Sequence, residues 1–463
     1  MQTLKVTSPF DGHLIKEIPM INTEQGNKML ETAYQIFNNR KLWLPKHLRI
    51  SILEKTARIM SERIEELTKI AAEEGGKPYK DSKVEVLRAI NGVKLAAEHT
   101  GQMRGTEIPM GMTKASEGRL AFTVKEPIGV VFSISAFNHP LNLTVHQTVP
   151  AIAAGAPVII KPASTTPLSC INFVNILYEA GLPKEYCQVA VCKSSTAEKL
   201  VTDKRVNYMS FIGSAKIGWY LASKLSPGTR YALEHGGVAP VIVQPDADTE
   251  KAIPELVKGG FYHAGQVCVS VQKIFVHKDI LKVFRDKFTA EVKKLKTGNP
   301  LKEDTDVGPI IIKEEIDRVE NWVKEAEENG GKILCGGKRI SEKLYEPTVI
   351  LNPSDKAKVS NEEVFGPVVC LYEYDNIDEA ITRANSLPFA FQSAVYTKNI
   401  DIAMKCSREL RASAVMINDH TAFRVDWMPF GGWDDSGTGI GGIPYSMQEM
   451  TREKLTVIKS ENL

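Results

Sequence analysis

Val206-Asn-Tyr-Met-Ser-Phe-Ile212 runs without interruption into Gly213-Ser214-Ala-Lys-Ile-Gly218. The first stretch, rich in β-branched and aromatic residues, predicts a buried strand. The second is a glycine turn opening a helix over Ile217 to Leu225, where exposed N–H groups could receive a phosphate or a nicotinamide. A plain strand-to-helix turn fits the same residues, because glycine serves tight turns in any fold. Working outward, Gly129-Val-Val-Phe-Ser-Ile-Ser135 and Pro157-Val-Ile-Ile-Lys161 predict two more buried strands with helix-like segments between them. These are βαβ units, and the chain is α/β. Upstream, apolar residues at helical spacing predict two long surface helices, Glu24 to Arg40 and Leu48 to Glu74, the second stopped by Gly75-Gly76-Lys77-Pro78. Downstream, a second block begins near Pro240-Val-Ile-Val-Gln244 and repeats the alternation through Phe365, which predicts a second α/β domain.

The 463 residues are 43% hydrophobic and 25% charged, the composition of an ordinary globular protein of two or three domains. A lone small binding module is excluded. Lys and Arg total 58 against 56 Asp and Glu, with no dense basic segment, so nucleic acid is not expected as a partner. The longest apolar run, Val149 to Ile160, is broken by Pro150, Gly155 and Pro157 and falls short of a bilayer span, so no membrane association is expected. The first ten residues lack the regions of a signal peptide. Seven dispersed cysteines without a CxxC pair read as thiols of a reducing cytoplasm, with neither a disulfide framework nor a metal site.

Two segments could carry chemistry: Phe261-Tyr-His-Ala-Gly-Gln-Val-Cys268, a cysteine after a small-residue turn, and Tyr231-Ala-Leu-Glu234-His-Gly-Gly237, a carboxylate before paired glycines. Alone, the cysteine reads equally as a small buried hydrophobe and the glutamate as a solvated face residue. Their order and surroundings decide between these readings. Ala136-Phe137-Asn138-His139-Pro140, Lys161-Pro-Ala-Ser164, Gly213 to Gly218, Leu233 to Gly237, Gly265-Gln-Val-Cys268, Glu362-Glu363-Val-Phe365-Gly-Pro367 and Pro429-Phe430-Gly-Gly432 follow one another along the chain. Over nearly its whole length the sequence thereby resembles the NAD(P)-dependent aldehyde dehydrogenase superfamily.

The resemblance implies a Rossmann-type cofactor domain (1–105 and 128–235), an α/β catalytic domain (236–435) and a small β oligomerisation arm (106–127 and 446–463). It assigns Cys268 as the nucleophile, Asn138 with the Cys268 backbone N–H as oxyanion donors, and Glu234 as activator of the hydrolytic water. On the cofactor side it implies Ser135, Ala136, Phe137, Gly213, Ser214, Gly218, His235 and Gly236 along the cleft. Lys161 would reach the adenosine ribose, and Glu363 with Phe365 the nicotinamide ribose and ring. A dimer or tetramer is expected.

Several residues depart from the family pattern. Ser164 stands where NAD-preferring members carry a glutamate. Its neutral side chain tolerates a 2′-phosphate beside Lys161 and favours NADP, with relaxed specificity or a merely packed serine as alternatives. Trp433-Asp434-Asp435-Ser436 and Gly441 change or remove charges expected near a subunit interface. His139, Leu141-Asn142-Leu143, the segment around Arg88 and Asn418 to Arg424 are similar to the lactaldehyde and phosphonoacetaldehyde dehydrogenase branch. Arg88, His139, His146 and Arg424 are then candidates for an anionic substrate tail. The alternatives are an Arg88 ion pair along its own helix and a satisfied core histidine at 146. Competing functions are a coenzyme A-acylating dehydrogenase, against which Glu234 argues, and a non-catalytic scaffold.

Overall fold

In the computed structural model, which describes residues 2–463, two open, mostly parallel sheets stand side by side. The first has the spatial order Gly437–Thr438, Arg230–Glu234, Val206–Ile212, Val130–Ile134, Val158–Lys161, Cys187–Val189. All its pairings are parallel except that of Gly437–Thr438. Its central strands are apolar on both faces because helices cover both sides, leaving Val131, Phe132, Val158, Ile159 and Met209 without exposure. Strand order reverses between Val130–Ile134 and Val206–Ile212, and open α/β sheets bind ligands outside the carboxyl ends of the strands at such a reversal.

The second sheet has seven strands from Lys332–Cys335 at one edge to Ala414–Ile417 at the other, with Pro240–Val243 and Lys273–His277 near its centre. It continues well past Phe365. The strands Gln392–Tyr396 and Ala414–Ile417 pair parallel onto it, so the second α/β unit is larger than the alternation in sequence indicates.

The early helices also differ from expectation. The segment Leu48 to Glu74 is two helices, Lys46–Glu62 and Ile64–Gly75, broken at Arg63, whose φ of −120° leaves the helical region. Neither lies simply on the surface: Leu53, Met60 and Leu67 are buried in the first core. Arg88 sits on a helix as expected, and that helix runs for 22 residues, Tyr79–Thr100; its bounds are hidden in sequence because the apolar spacing is interrupted by Lys83, Glu85 and Arg88, which the fold uses for other purposes. Gly76 adopts φ +67° as expected of a helix stop, and a side chain there would collide with Pro9 and Pro309.

A third, three-stranded antiparallel sheet joins Glu107–Ile108, Arg119–Pro127 and Thr451–Lys459. The helix Ile443–Glu449 before it sends Ile443 and Met447 into the first core, so the C-terminal segment divides between that core and this sheet. No helix among the described residues is long and apolar enough to cross a membrane.

Candidate active site

At the strand-order reversal opens a cavity of about 660 Å³. The turn after Val130–Ile134 contributes Ser135 to His139, and the turn after Val206–Ile212 contributes Gly213 and Ser214. Gly213 takes φ +159°, and only glycine at 218 leaves the His235 ring where it lies, since a Cβ there would stand 2.1 Å from His235 Cε1. His235 places Nδ1 2.8 Å from the Gly213 carbonyl, so Nδ1–H donates and Nε2 is left as a buried lone pair without a partner. Ser436 fixes this stretch, donating its hydroxyl to Gly236 O (2.8 Å) and accepting the His235 N–H on its own carbonyl (3.0 Å). The Trp433 to Ser436 segment therefore supports the cofactor cleft, with Asp434 paired to Arg411 at 2.6 Å.

Glu363 enters from the second unit, so close to Gly236 that a Cβ there would overlap its carboxyl. Burial pushes the Glu363 carboxyl up to about 8, against the opposing charge of Arg318, and Oε1 has no partner. Phe365 (φ +47°) presents its ring edge-to-face to Phe137 at 5.8 Å. Lys161 and Ser164 stand beside the cavity rather than in its wall. Lys161 Nζ donates to Pro162 O (3.0 Å), Ser164 is exposed, and Ala163 between them lines the opening. A cleft at a strand-order reversal, floored by glycine and holding unpartnered buried atoms of His235 and Glu363, fits a dinucleotide.

The other end of the same cavity holds the thiol. Three consecutive residues before it are left-handed: His263 (φ +50°), Ala264 (φ +54°) and Gly265 (φ +68°). Such a run costs roughly 1–3 kcal/mol for each non-glycine residue and persists only where its surroundings enforce it. Gln266 is the staple. Its amide donates to His263 O (3.1 Å) and Pro309 O (3.2 Å) and accepts Ile311 N–H (3.0 Å). At Gly265 a Cβ would stand 2.2 Å from Gly366 O, so only glycine lets this loop meet the one carrying Glu363 and Phe365.

Asn138 donates one amide hydrogen to Gln266 O (3.1 Å), which fixes its side chain beside the cysteine loop with a second hydrogen left over. Cys268, Asn138 and Glu234 all line the cavity. Burial pushes the Cys268 thiol up, Glu234 adds to this, and Arg424 opposes it. Burial likewise raises Glu234, which Arg424 and Arg88 counter. Gly441 packs behind Glu234: a Cβ there would be 3.7 Å from Glu234 Oε2.

Arg88, His139 and Arg424 also line the cavity, whereas His146 lies behind it. Asp426 organises them. Arg88 does not pair along its own helix but grips Asp426 with Nε (3.2 Å) and Nη2 (2.8 Å). Burial holds His146 down to about 4, so the neutral ring donates Nε2–H to Asp426 (2.8 Å) and offers Nδ1 toward Arg424 Nη2 (3.4 Å). Although burial opposes it, hydrogen bonding from His146 and the charge of Arg88 hold Asp426 below the usual carboxylate range. His139 places Nδ1 2.8 Å from Lys77 Nζ, and burial followed by the Lys77 charge keeps it neutral. Lys77 is itself fully buried and paired with Glu85, whose Oε1 accepts the N–H groups of Leu141 (2.9 Å) and Asn142 (3.0 Å) at the start of helix Pro140–Ala154.

Sequence reasoning missed Asp426, Lys77 and Glu85. The signal for Glu85 and Lys77 was a charge pair in a stretch that must pack against a buried helix; Asp426 carried no local signal.

The fold and the cavity define an oxidoreductase of the α/β dinucleotide-binding class. Residues 1–456 match the aldehyde dehydrogenase family, and the chain belongs to it as an NAD(P)-dependent aldehyde dehydrogenase. It is 39% identical to a 3-sulfolactaldehyde dehydrogenase of Priestia megaterium, over 99% of this chain and 95% of that protein. It is equally 39% identical to a lactaldehyde dehydrogenase of Methanocaldococcus jannaschii, over 99% and 97%. Glyceraldehyde-3-phosphate dehydrogenase of M. jannaschii, solved with NADP, superposes with a TM-score of 0.94 at 38% identity, covering 99% of this chain and 100% of that one.

Proposed function

We propose that the protein oxidises a small polar or anionic aldehyde to its carboxylic acid through a thioester on Cys268, without phosphorylation. The observation that carries this reading is the convergence of Cys268, Asn138, Glu234 and Arg424 on one end of a cavity whose other end fits a dinucleotide. The Cys268 sulfur adds to the aldehyde carbon, and the oxyanion so formed receives the free Asn138 amide hydrogen and the Cys268 backbone N–H. Arg424 favours the thiolate that this addition requires. A nicotinamide dinucleotide held by Gly213, Ser214, His235, Gly236, Glu363 and Phe365 would supply the acceptor for the hydride that leaves the adduct carbon. Glu234 then takes a proton from water as the water oxygen attacks the thioester, and Cys268 is released. Transfer of the acyl group to coenzyme A is not favoured, because Glu234 lies in the same cavity and serves hydrolysis.

Ser135, Ala136, Phe137, Gly213, Ser214, Gly218, His235, Gly236, Glu363 and Phe365 hold the cofactor in this reading, with Lys161 and neutral Ser164 at the adenosine end tilting choice toward NADP. Residues 1–105 and 128–235 form the cofactor unit, 236–435 the catalytic unit, and 106–127 with 446–463 the arm of a homodimer or homotetramer. The free cysteines suit a reducing cytoplasm.

Arg424 and, held by Asp426, Arg88 support an anionic or hydroxylated tail, as do the relatives named for sulfolactaldehyde, lactaldehyde and glyceraldehyde 3-phosphate. The test is kcat/KM with NADP and with NAD across lactaldehyde, sulfolactaldehyde, succinate semialdehyde, propanal and hexanal. The tailed aldehydes are expected to lead. Equal efficiency with propanal would leave the reaction class standing and overturn the substrate class.

A further inference from the structure

The two arginines of the cavity are held very differently. Arg88 is a satisfied fork on Asp426, with contacts of 2.8 and 3.2 Å. Arg424 has no such partner. Its guanidinium stacks on the Phe430 ring at 3.4 Å, which fixes its plane but neutralises nothing. Around its edge, Nη2 lies 3.4 Å from the neutral His146 ring, Nη1 lies 4.0 Å from Glu234 Oε1, and Nε is buried with no hydrogen-bond partner. Asp426, the nearby carboxylate, is already committed to Arg88 and His146. A guanidinium only 9% exposed and so weakly partnered lacks an anion.

Glu234 is the one acid it reaches. The family pattern would place a glutamate at 441, immediately beside Glu234 Oε2, but this chain has glycine. The charged or titratable groups that act on Glu234 are Arg424 from the 419–430 loop, Arg88 from helix Tyr79–Thr100, and Cys268. Behind Arg424 stand His146 and Asp426, already paired to each other. Cation therefore dominates the surroundings of Glu234.

We propose that Arg424 is a charge switch: it pairs with Glu234 while the tunnel is empty and, its plane still held on Phe430, takes the anionic tail of the acyl group on Cys268 along its weakly partnered edge, releasing Glu234 as base for hydrolysis. The step served is the one in which the C–O bond from water forms, the C–S bond to Cys268 breaks, and the water proton passes to Glu234. A substrate tail thereby contributes to rate and not only to binding, because an uncompensated Arg424 holds the carboxylate in its ion pair and makes it a weaker base. The inference rests on the anionic-substrate reading above.

The test compares succinate semialdehyde with its neutral carboxamide, which has the same length and shape. For each, with NADP present, the loss of the acyl group from Cys268 is followed by quenching and mass spectrometry across a range of pH. In wild type the acid limb for the anionic acyl group should lie higher by about 1 pH unit or more, with a faster plateau, because its tail removes the Arg424 charge from Glu234. Arg424→Met should bring the two limbs together, and Arg424→Lys, which keeps the charge, should preserve part of the gap. Coincident limbs in wild type, with a KM still lower for the anion, overturn the switch and leave the substrate reading intact. Equal KM and equal kcat for the two aldehydes overturn both.

Discussion

Single side chains carry the selectivity of this site. Ser164 is exposed, three residues from Lys161, where the proposed reading puts the adenosine of the cofactor. Ser164→Glu should therefore shift the NADP to NAD ratio of kcat/KM toward NAD by about tenfold, solvent screening part of the repulsion at an exposed position. An unchanged ratio would place recognition of the 2′-phosphate elsewhere. Glu363 supplies a pH dependence. Burial raises its carboxyl to about 8, so the free enzyme carries it protonated at neutral pH. On the proposed reading, hydroxyls of a bound ribose would donate to the ionised form, so cofactor binding would release a proton there and affinity should rise as pH climbs toward that value. Calorimetric titration of NADP from about pH 7 to about pH 9 should show tighter binding at the upper end in wild type and a flat profile in Glu363→Gln. At this scale the sequence was legible in singling out Cys268, Glu234 and Asn138, which the fold brings to one cavity. It was not legible for Asp426, because a lone aspartate acquires its role only when Arg88 and His146 arrive from two distant helices.

Whole elements place these side chains by close approach. The helix Ala215–Ala222 lies against His235 only because residue 218 lacks a Cβ. Gly218→Ala should displace the ring, break the Nδ1–H bond to Gly213 and weaken cofactor binding by roughly tenfold or more, the cost of a lost hydrogen bond plus local repacking. The Kd for NADP measures this, with circular dichroism as the check that the fold survives; unaltered affinity would show that the ring's position is immaterial. Helix Pro140–Ala154 is seated by Glu85, which joins its first N–H groups to Lys77, and this seat also fixes His139. The three central strands of the first sheet, Val130–Ile134, Val158–Lys161 and Val206–Ile212, were legible because burial on both faces makes them continuous apolar runs, whereas the outer strands Cys187–Val189, Arg230–Glu234 and Gly437–Thr438 were not. The extent of the helix Tyr79–Thr100, on which Arg88 was expected, was not legible either, because charges that pair across the molecule break the periodicity by which a helix is recognised in sequence.

At the scale of the molecule, three separated segments must meet: the turn carrying Asn138, the strand end carrying Glu234 and the strained loop carrying Cys268. The resemblance in sequence fixed which segments meet, while the junctions that bring them together are glycines and a glutamine, Gly265, Gly236 and Gln266, which composition alone does not distinguish from ordinary turn residues. The antiparallel arm exposes Leu120, Val124, Leu455, Val457 and Ile458, more apolar side chain than an isolated sheet would leave to water. In the homo-oligomer proposed above this face would be covered, so the wild type should scatter light as an oligomer and Leu455→Glu with Val457→Glu as monomers; an unchanged mass would remove the arm from the interface. The central claim is that this convergence builds an acyl-enzyme on one thiol. In Glu234→Gln, acylation remains possible and hydrolysis does not, so mixing enzyme, NADP and lactaldehyde should give a burst of about one reduced cofactor per site and a peptide bearing the acyl mass at Cys268. No burst, or an acyl mass on another of the seven cysteines, would contradict it.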